Sequence, residues 1–131
     1  MNERLPPSDG ELEVLKALWG EGPATVRGVD EALRGRGKSR AYTTVQTLLN
    51  RLQAKGHVAS EPQGGALVYR AASTRDDLLR DRLRDLADQL CEGEPTPLVL
   101  TLVEANRFSA AEIARFRALL DQHRGDEPTA G

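Results

Sequence analysis

The sequence predicts a mainly α chain with a small β-hairpin, and three observations carry that prediction. Apolar residues recur at helical spacing in three successive segments of the first half. Two short β-type runs follow, separated by Pro62-Gln-Gly-Gly65. The last third returns to helical spacing in a leucine-rich tail.

The first helix starts at Ser8-Asp-Gly-Glu11, a capping-box pattern with Ser8 as N-cap and Glu11 at N3. Leu12, Leu15, Leu18 and Trp19 lie on one side of it, giving a helix over roughly 9–19. Gly20-Glu-Gly-Pro23 breaks it. Thr25 caps a shorter second helix whose buried side is Val26, Val29 and Leu33. Gly35-Arg-Gly-Lys-Ser39 is a basic, glycine-rich connection into the third helix.

That third helix has two unlike faces. Val45, Leu48, Leu49 and Leu52 recur at i, i+3, i+4 and i+7 and form an apolar stripe. At about 3.6 residues per turn, the opposite face carries Thr43, Thr47 and Asn50, flanked by Arg40, Gln46 and Arg51. No acid occurs between Arg40 and Lys55. Short hydrogen-bonding side chains reach base edges without filling a groove, and arginine and lysine, here Arg40, Arg51 and Lys55, meet phosphates. Gly56 ends the helix at a C′ position. The runs His57–Glu61 and Ala66–Ala71 then form the hairpin. Helix, short helix, turn, helix and hairpin together make a winged helix-turn-helix.

Charge agrees locally. The whole chain has a formal net charge of −2. Residues 1–73 hold ten basic and eight acidic side chains, whereas residues 74–131 hold eight and twelve. From Arg27 to Arg70 there are eight basic residues against Asp30, Glu31 and Glu61. A positive region confined to one part of a slightly acidic chain is the footprint of a small DNA reader.

The tail differs in character. Thr74-Arg-Asp-Asp77 opens a helix, with Thr74 as cap and acids in the first turn. Leu79, Leu83, Leu86 and Leu90 form a heptad-like seam. After a break at Gly93–Pro97, the run Leu98–Val103 is almost wholly apolar, and periodicity leaves buried strand and buried helix both open. Ser109-Ala-Ala-Glu112 is another capping box, opening a helix with Ile113, Phe116, Leu119 and Leu120 inward. Such a tail has too few residues to enclose its own apolar faces. A second copy of the same tail is the expected cover, giving a homodimer; the alternative packs the tail onto the N-terminal unit of a monomer. The expected organisation is a DNA-binding unit over 1–73, a helical dimerisation region over 74–123 and a disordered tail over 124–131.

Composition closes off other classes. No hydrophobic N-terminal segment suggests a signal peptide or membrane span, so a cytoplasmic protein without direct membrane binding is expected. Cys91 is the only cysteine, so neither an intrachain disulfide nor a CxxC-type metal set is expected. His57 and His123 belong to no metal-ligand pair, and no hydrolase, zinc-protease, P-loop or dinucleotide-binding motif occurs. An enzyme is not expected, nor a cofactor.

Three stretches resemble the BlaI/MecI/CopY group of penicillinase-repressor-type winged-helix regulators. They are Glu11–Trp19, Tyr42–Leu52 with Lys55-Gly56, and Pro97–Glu104. The resemblance covers roughly Leu5 to Gln122. It implies a dimeric repressor on a palindromic operator of double-stranded DNA, with the third helix in the major groove. It also implies that Thr44, Gln46, Thr47 and Arg51 contact the groove or phosphates, and that Tyr69 and Arg70 fall in the wing. Dimerisation then rests on Leu79, Leu83, Leu86, Leu90, Leu98, Leu102, Phe116 and Leu120. Two departures matter. Copper-responsive members carry a Cys-x-Cys pair that this chain lacks, so metal sensing is not expected. Members released by a membrane sensor protease are cut at an Asn-Phe bond, and the matching bond here is Thr101–Leu102. Two other readings stay open: a winged-helix protein-interaction module, and a regulator whose tail senses a small molecule.

Overall fold

The computed structural model describes residues 4–124. Its elements run α1 (Asp9–Glu21), α2 (Val26–Gly35), α3 (Tyr42–Ala54), β1 (Val58–Gln63), β2 (Ala66–Ala71), α4 (Arg75–Leu90), α5 (Thr96–Ala105) and α6 (Ala110–Arg124). Residues 125–131, most of the stretch expected to be a disordered tail, lie outside the described residues. Arg124 is the last residue of α6.

The helix starts follow local chemistry. At α1 both halves of the capping box form: Ser8 Oγ accepts from Glu11 N–H, and Glu11 Oε1 accepts from Ser8 N–H. Thr74 with Asp77, and Ser109 with Glu112, make the same reciprocal pair. Thr25 Oγ1 accepts from Gly28 N–H and starts α2.

The apolar stripes of α1, α2 and α3 meet in one core. It holds Val14, Leu15, Leu18, Val29, Leu33, Val45, Leu49 and Leu52, each at most 2% exposed. Val58 and Tyr69 join it from the hairpin, and Leu78 from the start of α4. β1 and β2 pair antiparallel from Val58↔Ala71 to Gln63↔Ala66. The hairpin turn is therefore only Gly64-Gly65, both at positive φ (57° and 84°), which any residue with a Cβ resists. Pro62, expected in the loop, pairs with Leu67 in the ladder instead. The two backbones also touch ahead of α2: Tyr69 N–H donates to Ala24 O at 2.7 Å, and Ala24 N–H to Tyr69 O at 2.9 Å. The result is a winged helix-turn-helix.

The chain divides into two compact units at Arg82/Leu83, within α4. Three contacts tie the approach to α4 and its start to the first unit. Trp19 Nε1–H donates to Ser73 O at 2.8 Å, Leu78 is buried, and Arg4 lies 3.9 Å from Asp77 and 3.7 Å from Asp81. In the second unit, the run Leu98–Val103 is helix, α5, which starts with Pro97 in its first turn, where the missing N–H costs nothing. Both apolar stretches expected to need a second copy are accessible there. The run is not buried: Val99, Leu100, Leu102 and Val103 are exposed and Leu98 is half-buried. Ile113, Phe116, Leu119 and Leu120 are exposed as well, and no residue of α6 is buried. The apolar faces have formed and are exposed.

Candidate nucleic-acid interface

The inner stripe of α3 fixes its outer face. With Val45, Leu48, Leu49 and Leu52 buried, Thr43, Thr44, Thr47, Asn50 and Arg51 must point outward, and all five are exposed. Arg40 precedes the helix and is also exposed, its guanidinium beside Gly10 of α1. α3 has no side-chain cap: Ala41 occupies the cap position, so its first backbone N–H groups receive no such bond. Free N–H groups at a helix start suit a phosphate oxygen. Gly56, at φ 89°, terminates the helix as expected.

Side-chain partners decide what this face presents. Thr47 Oγ1–H donates back to Thr43 O at 3.0 Å, so Thr47 shows its methyl group and an acceptor. Gln46 is half-buried, and its Nε2 donates to Tyr69 Oη at 3.1 Å and to Asn50 Oδ1 at 3.4 Å. Arg27, Arg36, Lys38, Arg40 and Arg51 are exposed, and none is ion-paired with a carboxylate among the described residues. A cleft of about 350 Å³ opens beside α3, lined by Thr25, Arg27, Tyr42, Gln46, Leu67 and Tyr69 among others. Arg27 and Tyr42 were not singled out from the sequence. Arg27 opens the net-positive stretch and Tyr42 is an exposed aromatic at a helix start, which are the signals that point to them.

Two residues expected at the interface stand elsewhere. Tyr69 is 1% exposed: its ring belongs to the core and only its hydroxyl reaches the cleft. Lys55 Nζ lies 2.6 Å from Glu11 Oε1 and donates to Pro6 O at 3.2 Å, so its charge is already engaged. Glu11 is 2% exposed. Burial pushes its carboxyl up, but hydrogen bonds from Lys55 and Ser8 outweigh that, leaving it below the ordinary 4.5. Arg70 is exposed on the wing, 4.0 Å from Glu61, a surface pair worth about 0–1 kcal/mol that a phosphate can displace.

His57 is fully buried. Its Nε2 lies 2.6 Å from Leu5 O and its Nδ1 2.9 Å from Ser73 Oγ. A carbonyl only accepts, so Nε2 carries a proton. Among the described residues no group of His, Cys, Asp and Glu is arranged to hold a metal ion. No helix of the described residues is long and apolar enough to cross a membrane.

Seven of the eight tail residues expected to associate share one property, Leu98 being half-buried. Leu79, Leu83, Leu86, Leu90, Leu102, Phe116 and Leu120 are exposed, from 39% at Leu86 to 74% at Leu90. Within the second unit, Leu83, Ala87, Pro95, Leu98, Val99 and Leu102 line an apolar groove of about 340 Å³. Phe108 and Phe116 meet edge to face, 5.0 Å between centroids. Thr101 is exposed on α5.

A family model described as penicillinase repressor matches residues 7–122. The chain belongs to the penicillinase repressor family. Within it, the chain is 37% identical over 128 residues to the transcriptional regulator BlaI of Mycobacterium tuberculosis, covering 93% of this chain and 91% of that protein. It is 26% identical over 119 residues to the penicillinase repressor of Bacillus licheniformis, covering 89% and 91%. The solution structure of the DNA-binding domain of the repressor BlaI superposes with a TM-score of 0.50 at 30% identity, covering 59% of this chain and 93% of that one. Family and fold agree on a winged-helix, DNA-binding transcriptional repressor.

Proposed function

We propose that the chain represses transcription as a homodimer on a palindromic operator, with α3 of each copy in the major groove. The observation that carries this is the outer face of α3: exposed Thr43, Thr44, Thr47, Asn50 and Arg51 with no acid among them. In this reading Arg40, Arg51 and Arg70 meet phosphates and supply most of the affinity. Gln46, Thr47 and Asn50 choose the sequence. The exposed leucines of α4 and α5, with Phe116 and Leu120, are covered by the second copy. Two-fold symmetry of the protein then requires two-fold symmetry of the site.

The test is selection of bound genomic fragments by the full-length chain, followed by footprinting at two salt concentrations. Two symmetric half-sites and a steep loss of binding with salt are expected. No enrichment over random DNA would favour the protein-interaction module. A single protected half-site would remove the dimer.

Release by proteolysis is a second part of the reading, supported by the exposure of Thr101 and Leu102 on the most apolar helix of the tail. A membrane sensor protease cutting there would split α5 and undo the association surface. Immunoblots of native cells during induction test it. Full derepression with the chain intact would assign release to a ligand or a partner protein.

A further inference from the structure

Tyr69 is held more firmly than a wing residue needs to be. Its ring is buried among the apolar residues of the three-helix core. Its backbone N–H and C=O are both bonded to Ala24, just ahead of α2. The hydroxyl is therefore a fixed point at the edge of the cleft. From that point it engages Gln46 Nε2 at 3.1 Å, and the same nitrogen reaches Asn50 Oδ1 at 3.4 Å.

An unrestrained glutamine turns its amide end for end and meets a donor or an acceptor equally well. Gln46 is not unrestrained. In the arrangement seen, Nε2 faces Tyr69 Oη and Asn50 Oδ1, and Oε1 is the end left to accept. A hydroxyl donates as well as it accepts, so the tyrosine fixes where the amide sits, and the pairing with Asn50 fixes that the two amides are opposed. Asn50, one turn later, has its oxygen engaged and its Nδ2 donors free. The two amides thus offer opposite polarity to whatever lies along α3.

We propose that Tyr69 is a positioning residue for sequence choice: its hydroxyl anchors the side chain of Gln46, and with the Asn50 amide opposed to it α3 selects an exocyclic amino group at one base and an acceptor at the next contact. The amino group is N6 of adenine or N4 of cytosine; the acceptor facing Asn50 is O6 or N7 of guanine, O4 of thymine or N7 of adenine. This rests on the reading of α3 as the sequence-reading helix. It also gives the buried tyrosine a role at the interface without direct contact with DNA, since a preset side chain loses less freedom on binding.

The experiment uses the full-length chain and a randomised DNA pool. Gln46→Ala identifies the base pair that Gln46 reads, as the position where selection is lost. At that pair, replacing the amino group by hydrogen (purine for adenine, 2-pyrimidinone for cytosine) should weaken wild-type binding about tenfold and leave Gln46→Ala unaffected. A 7-deaza purine at the same pair should have no effect. Tyr69→Phe keeps the ring and removes the hydroxyl. It should unfold near the wild-type temperature and bind random DNA equally well, yet lose about tenfold discrimination at that one pair. If Tyr69→Phe selects as stringently as wild type while Gln46→Ala does not, the positioning role is overturned and the reading of α3 stands. Sensitivity to 7-deaza substitution instead of amino removal overturns the polarity, and needs no tyrosine variant to see. If Gln46→Ala selects the wild-type sequence, the base-reading role of Gln46 fails and the proposal with it.

Discussion

Asn50 and Arg51 are neighbours on α3 and both exposed, yet their chemistry separates them. Arg51→Ala removes a charge and no base-specific fork, so it should weaken binding to all sequences alike and reduce the salt slope by about one. Asn50→Ala should instead cost about 1–3 kcal/mol at one base pair. Gel shifts on operator and random DNA at several salt concentrations distinguish them, and equal losses on both DNAs for both variants would remove the assignment. Glu11 supplies a second prediction at this scale. Its carboxyl lies below the ordinary value in the folded chain, so the unfolded chain takes up the proton first on acidification. The stabilisation is present above about pH 4.5 and is lost as pH falls through the lower, folded value. Glu11→Gln should therefore lower stability near neutrality by roughly 1–3 kcal/mol and flatten the acid limb. Urea midpoints between pH 3 and 7 measure both; an unchanged acid limb would show that the pair with Lys55 adds nothing.

Among the elements, α2 depends most on its entry. Thr25 is its only side-chain cap, and Ala24 just before it is pinned to the wing at Tyr69. Thr25→Ala should cost about 0.5–2 kcal/mol, seen as a lower urea midpoint with an unchanged slope. Caps of this kind were legible in the sequence because they join residues three apart, as in Ser8–Glu11 and Ser109–Glu112. The apolar stripes of α1, α2 and α3 were legible because a helix repeats them locally. The nature of α5 was not, since an unbroken apolar run fits strand and helix alike, although Pro97 was an available helix-start signal. Nor could the pattern of Ile113, Phe116 and Leu120 tell whether its cover lay in the same chain: amphipathicity states that a face needs covering, not by what. The engagement of Lys55 by Glu11, 44 residues away, and of Gln46 by Tyr69, 23 away, has no local trace at all.

For the whole molecule, the boundary at Arg82/Leu83 sets a truncation experiment. A chain ending at Arg82 keeps Leu78 and the Arg4 pairs with Asp77 and Asp81. It should fold, sediment as a monomer and bind a full operator far more weakly, because two half-sites are no longer linked. A dimer at this length would move the association surface into the first unit. Ending at Ser73 instead removes Leu78 from the core, and a lower melting temperature than that of the Arg82 chain is expected.

The residues just before α1 are gripped at two successive carbonyls, Leu5 by the His57 ring and Pro6 by the Lys55 ammonium. Both grips come from the end of α3. The chain start and the last turn of the reading helix should therefore open as one cooperative unit. Pro6 and Pro7 carry no amide proton, so the first useful reporter in α1's cap is Ser8, whose N–H is held by Glu11. Its exchange with deuterated solvent should keep pace with that of Lys55, Gly56 and His57, whose amides bond back to Arg51, Gln53 and Leu52. Lys55→Ala should accelerate all four together while leaving the mid-helix amides of α1 slow. In exchange kinetics, the segment ahead of the first helix would behave as part of the third.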